Sequence, residues 1–312
     1  MTFDATSFCQ KATADIKKKI GDKKTVIGLS GGVDSSVAAI LTHKAIGDNL
    51  ISVFVDTGFM RKNEAEEIRQ IFEGKYNLNL RIIDAEEEFM KKLKGKSDPE
   101  EKRKIIGHHF ITVFQREAEK IGAQALVQGT IAPDWIETGG GIKSHHNVTL
   151  PSGMVLTVVE PLRDLYKDEV REVARHLKLP PEISERMPFP GPGLAVRVVG
   201  EITQERVNVV READYIVKEE IKKAGIQSWQ AFAALLPGRV TGVKGDSRDY
   251  GYIIAIRIVE SLDAMTANTK QIDPQVWKTL RKIADRIPRE IPQVTRVLYD
   301  LTNKPPATIE FE

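Results

Sequence analysis

Serine, glycine and aspartate are concentrated in residues 30–36, which read Ser-Gly-Gly-Val-Asp-Ser-Ser. Apolar residues at 25–29 predict a buried strand before this segment, and the apolar spacing after it predicts a helix. Glycines let backbone amides approach a ligand closely, and the unpaired amides of a first helical turn favour an anion. The segment therefore predicts a phosphate-binding loop, although a tight turn with Ser30 as the helix N-cap would use the same residues. The residues assigned to this phosphate loop are Ser30, Gly31, Gly32, Val33, Asp34, Ser35 and Ser36.

Asp34 is the carboxylate of this loop, and its position indicates a metal ion. Beside a polyphosphate a carboxylate adds repulsion unless Mg²⁺ lies between them, so we expect Asp34 to bind magnesium. The sequence contains no Gly-x-x-x-x-Gly-Lys-Ser/Thr motif, and no Gly-x-Gly-x-x-Gly motif follows a predicted strand. A P-loop ATPase and a dinucleotide-binding Rossmann site are therefore not supported.

The elements that position the loop alternate between strand and helix patterns from residue 25 to about 179. Strands separated by helices imply right-handed crossovers and a parallel sheet that is buried on both faces. The predicted fold class is α/β, a doubly wound parallel sheet. The predicted strands are 25–29, 50–55, 80–83 and 125–128, and the predicted helices between them are 33–46, 63–73 and 101–120.

Two irregular segments divide the chain. Residues 133–151 show neither helical nor strand periodicity and are longer than most connections, so they predict a lid or a binding loop. Residues 188–193 are too rich in proline and glycine for regular structure, so the domain boundary is predicted there. The predicted domains are 1–187 and 188–312, and the order of elements in the second predicts a smaller α+β fold.

Composition excludes several classes of protein. The 312 residues include 46 Lys and Arg against 44 Asp and Glu, and this net charge of +2 gives no global field for a nucleic-acid backbone. A single cysteine excludes a disulfide scaffold and a cysteine-built zinc site. No stretch approaches the ~20 apolar residues of a membrane span. We therefore expect a cytoplasmic protein that binds neither nucleic acid nor membrane.

The phosphate loop resembles the pyrophosphate-binding loop of the N-type ATP pyrophosphatases, which cleave ATP between its α- and β-phosphates and pass AMP to a carbonyl oxygen. Further segments, from about residue 24 to 312, are similar to the synthetase part of the GMP synthetase family. These segments are VFVDTGFMRKNEAEE (53–67), DPEEKRKIIG (98–107), QGTIAPDWIE (128–137), IKSHHN (142–147), EPLRDLYKDEVR (160–171), PFPGPGLAVRVVGE (188–201) and KPPATIEFE (304–312). Phe311 stands where the family often has tryptophan.

The resemblance implies a reaction in which ATP adenylylates O2 of xanthosine monophosphate (XMP), pyrophosphate leaves, and ammonia displaces AMP at C2. It implies that the phosphate loop holds the pyrophosphate, with Mg²⁺ held by Asp34. Val53 and Val55 on the second strand, and Gly129 and Thr130 after the fourth, fall where the family binds adenine. For the two valines, the core of the sheet is an equally good interpretation.

The irregular segment matches the lid of the family. Lys143 would stabilise charge that develops at the α-phosphate, and Asp134 or Glu137 would take a proton from incoming ammonia. His145 and His146 belong to the same lid, although a solvated pair of loop histidines is the alternative interpretation.

The XMP site implied by the resemblance lies mostly near the end of the sequence. Lys304 and Arg296 would supply charge for a 5′-phosphate, and Glu310 would accept hydrogen bonds from the purine edge. Ile309 belongs to the same segment, and Arg103 matches a position that meets XMP in the family.

The resemblance also implies partners. No glycine-flanked elbow surrounds Cys9, so we expect the two-subunit form, in which a separate glutamine amidotransferase supplies ammonia. A homodimer formed through the second domain is expected as well. NAD synthetase and a catalytically silent nucleotide sensor are the alternatives; joint retention of Asp34, Lys143, Lys304 and Glu310 argues against the sensor.

Overall fold

The computed structural model describes residues 3–137, 147–149, 152–153, 155–261 and 264–312. Helices α1 to α10 are Ala5–Ile20, Val33–Ile46, Glu64–Arg69, Glu86–Leu93, Pro99–Ile121, Ala132–Glu137, Lys167–His176, Pro181–Ser184, Gln204–Lys223 and Pro274–Glu290. Strands β1 to β11 are Thr25–Gly28, Leu50–Asp56, Asn79–Asp84, Ala125–Val127, Asn147–Thr149, Val155–Val159, Gln230–Leu235, Val240–Lys244, Ser247–Glu260, Asn268–Thr269 and Val294–Tyr299. Short 3-10 helices form at Gly47–Asn49 and Gly193–Arg197, and a π-helical turn forms at Gln70–Lys75.

The described residues form two compact units. Unit 1 is drawn from Met1–Asp56, Glu64–Ala85 and Phe110–Arg186, and unit 2 from Thr57–Asn63, Glu86–His109 and Met187–Glu312. The final change of unit lies next to the predicted boundary. The prediction, however, assigned 57–63 and 86–109 to the first domain, whereas both segments pack in unit 2.

Packing of aromatic rings explains why those two segments belong together. Phe59 and Phe89 meet edge to face with ring centroids 6.3 Å apart, and both are fully buried. The carbonyl oxygen of Phe59 accepts a 2.7 Å hydrogen bond from the amide of Leu194, in the later part of the chain. Because these contacts join distant positions, a boundary drawn along the sequence cannot show them.

The sheet of unit 1 confirms the predicted α/β class. Its strand order is β3-β2-β1-β4-β6-β5, and every pair is parallel except β5 with β6. Strand β2 is buried along Leu50–Val55, as expected for a strand covered on both faces.

The expectation of wholly irregular structure over 133–151 is wrong for its described residues. Helix α6 reaches into the segment and β5 lies within it. Strand β5 has three residues and pairs antiparallel with β6, with Asn147 opposite Thr157. An element this short leaves no periodic signal, because its tertiary partner determines its conformation.

Unit 2 has the predicted α+β composition. The fourteen-residue strand β9 pairs antiparallel with β7, β8 and β10 and parallel with β11. Buried faces of α9 and α10 contribute side chains such as Val210 and Ile283 to the core. No helix among the described residues is both long and apolar enough to cross a membrane.

Candidate active site

The phosphate loop connects β1 to α2 at the switch point of the sheet, where the strand order reverses. Strand β1 lies between β2, which follows it in the chain, and β4, which comes later. The loops that leave β1 and β4 therefore diverge and open a crevice at the carboxyl ends of the strands, where open α/β sheets bind ligands.

Hydrogen bonds within the loop hold its serines next to the N-terminus of α2, which has no side-chain cap. The Ser30 amide and hydroxyl lie 3.2 and 3.0 Å from Ser35 Oγ, and Ser36 Oγ donates to the carbonyl of Gly32 at 2.6 Å. Gly31 has φ +72°, which favours glycine, and the N-cap of α2 is Gly32, which has no side chain to cap the helix. The turn is therefore not the one capped by Ser30, and the helix end is left to an anion.

Asp34 has the surroundings that a magnesium ligand needs. Its Oδ2 accepts a 2.6 Å hydrogen bond from Lys167 Nζ, while the buried Oδ1 has no hydrogen-bond partner among the described residues. Those residues contain no group of three His, Cys, Asp or Glu side chains that could hold a metal. One carboxylate with an open oxygen suits Mg²⁺, which binds through one or two carboxylates and substrate phosphates. Asp34 fits the ion.

The turn after β4 packs directly on the phosphate loop. A Cβ atom on Gly129 would lie 3.0 Å from the carbonyl carbon of Asp34 and from the amide nitrogen of Ser35. Gly129 therefore permits the close approach of two backbones. Thr130 follows it and donates a 2.7 Å hydrogen bond to Glu160 Oε1.

The structure leaves the remaining adenine and lid assignments as predictions. Val53 and Val55 are 1% and 2% exposed, so their side chains belong to the sheet core. Asp134 lies on α6 and its Oδ2 accepts a 2.9 Å hydrogen bond from the amide of Ile131, at the helix start. The Glu137 side chain, Lys143, His145 and His146 lie outside the described residues.

Arg186 and Glu64, which the sequence analysis did not select, hold the phosphate loop in place. Arg186 donates from NH1 to the carbonyl of Gly31 and from NH2 to Glu64 Oε1, both at 2.8 Å. The side chain of Glu64 is buried. The available signals were an arginine two residues before the proline-rich boundary and a glutamate within the segment 53–67.

In unit 2, the segment 304–310 is fastened by backbone and side-chain contacts. Lys304 exchanges backbone hydrogen bonds of 2.8 and 3.0 Å with Ala267, and its Nζ donates to the carbonyl of Ala264 at 2.8 Å. The buried Arg257 donates to the carbonyls of Thr302 and Thr308 at 2.8 and 3.0 Å. The path of this segment is therefore fixed on both sides.

The other proposed XMP residues have different surroundings. Glu310 accepts hydrogen bonds from Arg197 and Gln230. Ile309 is buried in the core of unit 2, and Arg296 is exposed on β11. Arg103 donates to the main-chain carbonyl of Glu312.

Two lysines of unit 2, Lys102 and Lys218, have pKa values below the usual value for lysine. Lys102 is fully buried, donates to the carbonyls of Val198 and Gly200 at 2.9 Å, and pairs with Glu312. Burial lowers the pKa of Lys102 below its usual value, although Glu312 opposes that change. Burial also lowers the pKa of Lys218 to about 8, against the favourable charge of Asp214.

The fold and the phosphate loop define an N-type ATP pyrophosphatase, and comparisons with known proteins agree. The family described as NAD synthase matches residues 7–108, and the family described as GMP synthase C terminal domain matches residues 219–311. The solved NMN synthetase from Francisella tularensis has a TM-score of 0.48 at 19% identity, covering 62% of this chain and 79% of that chain.

Full-length relatives identify the family. The B subunit of glutamine-hydrolyzing GMP synthase from Methanopyrus kandleri is 62% identical, covering 99% of this chain and 100% of the relative. The proteins of the same name from Methanocaldococcus jannaschii and Methanococcus vannielii are 61% and 60% identical, with the same coverage. The chain belongs to the family of GMP synthase B subunits. It is an ATP-using ligase of GMP biosynthesis.

Proposed function

We propose that the chain aminates XMP to GMP in two steps. ATP adenylylates O2 of XMP and pyrophosphate leaves; ammonia then attacks C2 and AMP leaves with the oxygen. The observation that carries the proposal is full-length identity of up to 62% to B subunits of GMP synthase. The phosphate loop at the switch point of the sheet supports the first step.

The phosphate loop binds the pyrophosphate part of ATP. Free amides at the start of α2 and the hydroxyl of Ser30 donate to its oxygens, while Ser35 and Ser36 shape the loop by donating to the carbonyl of Gly32. Asp34 holds Mg²⁺, which when bound neutralises the charge of the leaving group. Arg186 keeps Gly31 in place by donating a hydrogen bond to the main-chain carbonyl of Gly31.

The lid residues act on the α-phosphate of ATP and on the incoming ammonia. Lys143 stabilises charge at the α-phosphate, and Asp134 or Glu137 takes a proton from ammonia, in a lid that includes His145 and His146. Adenine lies near Val53, Val55, Gly129 and Thr130.

Unit 2 binds XMP. Lys304 and Arg296 bind its 5′-phosphate, Glu310 accepts from the purine edge, and Ile309 and Arg103 complete the site. The fixed path of segment 304–310 supports this assignment, because a rigid backbone reduces the entropy that binding must overcome.

Ammonia comes from a separate glutamine amidotransferase subunit. The relatives are named as one subunit of a glutamine-hydrolyzing enzyme, which supports such a partner. We include in the proposal a homodimer formed through unit 2 and a cytoplasmic location.

The test is pyrophosphate release from ATP and Mg²⁺ in the presence of an ammonium salt, with either XMP or nicotinate adenine dinucleotide as the second substrate. Release with XMP, accompanied by equal amounts of GMP and AMP, is expected. Release only with the dinucleotide would make the chain an NAD synthetase, and release with neither would support a silent nucleotide sensor.

A further inference from the structure

Glu310 is held by a buried guanidinium. Arg197 is 1% exposed and donates from Nε to Glu310 Oε2 at 3.0 Å and from NH2 to Glu310 Oε1 at 2.9 Å. Gln230 Nε2 donates to the same Oε1 at 2.7 Å. The carboxylate therefore has a bidentate partner that fixes its plane, with a second donor on one of its oxygens.

Counting acceptor sites shows what remains for a ligand. An ionised carboxylate has about four lone-pair sites, two on each oxygen. Arg197 and Gln230 together use both sites of Oε1 and one site of Oε2. Among the described contacts, Glu310 is left with one acceptor site, on Oε2.

Arg197 has further partners besides Glu310 that fix its position. Its NH1 donates to Asp214 Oδ1 at 2.8 Å, and its guanidinium carbon lies 4.4 Å from the ring centroid of Phe232 and 5.1 Å from that of Phe189. Asp214 is buried, and it also pairs with Lys218. The guanidinium is therefore a preformed support for Glu310.

We propose that Arg197 is a positioning and specificity-determining residue of the XMP site, acting together with Gln230 through Glu310. The inference rests on the proposed contact between Glu310 and the purine edge. With one acceptor site, Glu310 selects a base that presents a ring N–H, as xanthine does. Adenine has an acceptor nitrogen at N1, which would face the acceptor oxygen Oε2 of Glu310 and repel it. With Oε2 facing N1, no other acceptor site of Glu310 is left for the amino group of adenine.

A double-mutant cycle tests the proposal with Arg197→Lys, Glu310→Gln and the combined variant of the full chain. The dissociation constant of XMP is measured by calorimetry, and that of pyrophosphate serves as the control. Losing a hydrogen bond to a charged group is expected to weaken XMP binding about ten- to a hundredfold in each single variant. The combined variant should be no weaker than Glu310→Gln, because Arg197 acts through Glu310.

The outcomes separate this inference from the proposed function. Unchanged XMP binding by Glu310→Gln would overturn the proposed substrate role of Glu310. A weakened Glu310→Gln variant beside an unchanged Arg197→Lys variant would overturn only the role of Arg197. Losses that multiply in the combined variant, or an equal loss of pyrophosphate binding in Arg197→Lys, would show that Arg197 is merely structural.

Gln230→Ala keeps the proposal testable if Arg197→Lys does not fold. This variant removes no charge and gives Glu310 a second acceptor site, on Oε1, which can receive the amino group of adenine. With the ATP site filled by α,β-methylene-ATP, the preference for XMP over AMP is expected to fall about tenfold, as for one hydrogen bond. An unchanged preference would contradict the proposal.

Discussion

At the scale of single residues, Asp34 and Lys304 carry the two chemical assignments that matter most. Asp34 has one oxygen on Lys167 and one without a described partner, so it can accept a metal ion. Lys304 donates to a carbonyl that a phosphate could replace. The two side chains belong to different units and make separate predictions.

Asp34→Asn is expected to abolish pyrophosphate release at saturating Mg²⁺ while the protein stays folded. The amide keeps the volume of the side chain but loses the charge that holds the metal. Pyrophosphate release and circular dichroism are the measurements, and Asp22→Asn, at an exposed carboxylate between α1 and β1, is the matched control. Turnover at the wild-type rate in Asp34→Asn would remove the metal role.

Lys304→Ala is expected to weaken XMP binding by about ten- to a hundredfold, because a charge-assisted contact to phosphate contributes roughly 1.5–3 kcal/mol. Binding of ATP should change little. Calorimetry with each nucleotide separates the two effects, and Lys278→Ala, at an exposed lysine of α10, is the control. Equal losses for both nucleotides, or no loss for XMP, would show that the segment is structural.

At the scale of elements, the phosphate loop depends on residues far from it in sequence. Gly129 lets the turn after β4 approach α2, and Arg186 connects Gly31 to the buried Glu64. The loop is therefore held by neighbouring elements and not by its own serines alone.

Arg186→Met is expected to lower the free energy of unfolding by about 3 kcal/mol, because it removes a cation that pairs with the buried carboxylate of Glu64. The combined variant Arg186→Met with Glu64→Gln should recover part of this loss. Urea unfolding measures both, and the dissociation constant of pyrophosphate should rise in both, since neither restores the contact with Gly31. Pyrophosphate binding at wild-type strength in Arg186→Met would contradict the bracing role.

At the scale of the whole molecule, the chain supplies the ATP chemistry and requires an external source of ammonia. Cys9 is buried on α1, and burial raises the pKa of its thiol, which disfavours the thiolate that a glutaminase needs. Other cysteines are absent from the sequence.

The purified chain is therefore expected to form GMP with an ammonium salt and to form none with glutamine. Addition of a glutamine amidotransferase subunit should restore the use of glutamine. GMP formation is followed under the three conditions, and Cys9→Ser serves as a control that should leave the ammonium-dependent rate unchanged. Glutamine use by the chain alone, lost in Cys9→Ser, would show that Cys9 is a nucleophile.

Local sequence determined the alternation of β-strands and helices and the position of the phosphate loop, whereas the class of reaction followed from the resemblance of longer segments to the GMP synthetase family. The reason is that glycine conformation, the free amides of a helix start and apolar periodicity depend on residues within a few positions of one another. The predicted range 33–46 for the helix after the loop coincides with α2 for the same reason.

Only the tertiary structure decided which distant groups meet. Arg197 and Glu310 are 113 residues apart, Arg186 and Gly31 are 155 apart, and 57–63 and 86–109 pack in unit 2. For the first pair, the position of Arg197 within the apolar run 194–199 indicated a buried charge, but the sequence did not indicate that Glu310 is its partner. A buried charge has to find a counter-charge in three dimensions, and no spacing along the chain specifies which one it finds.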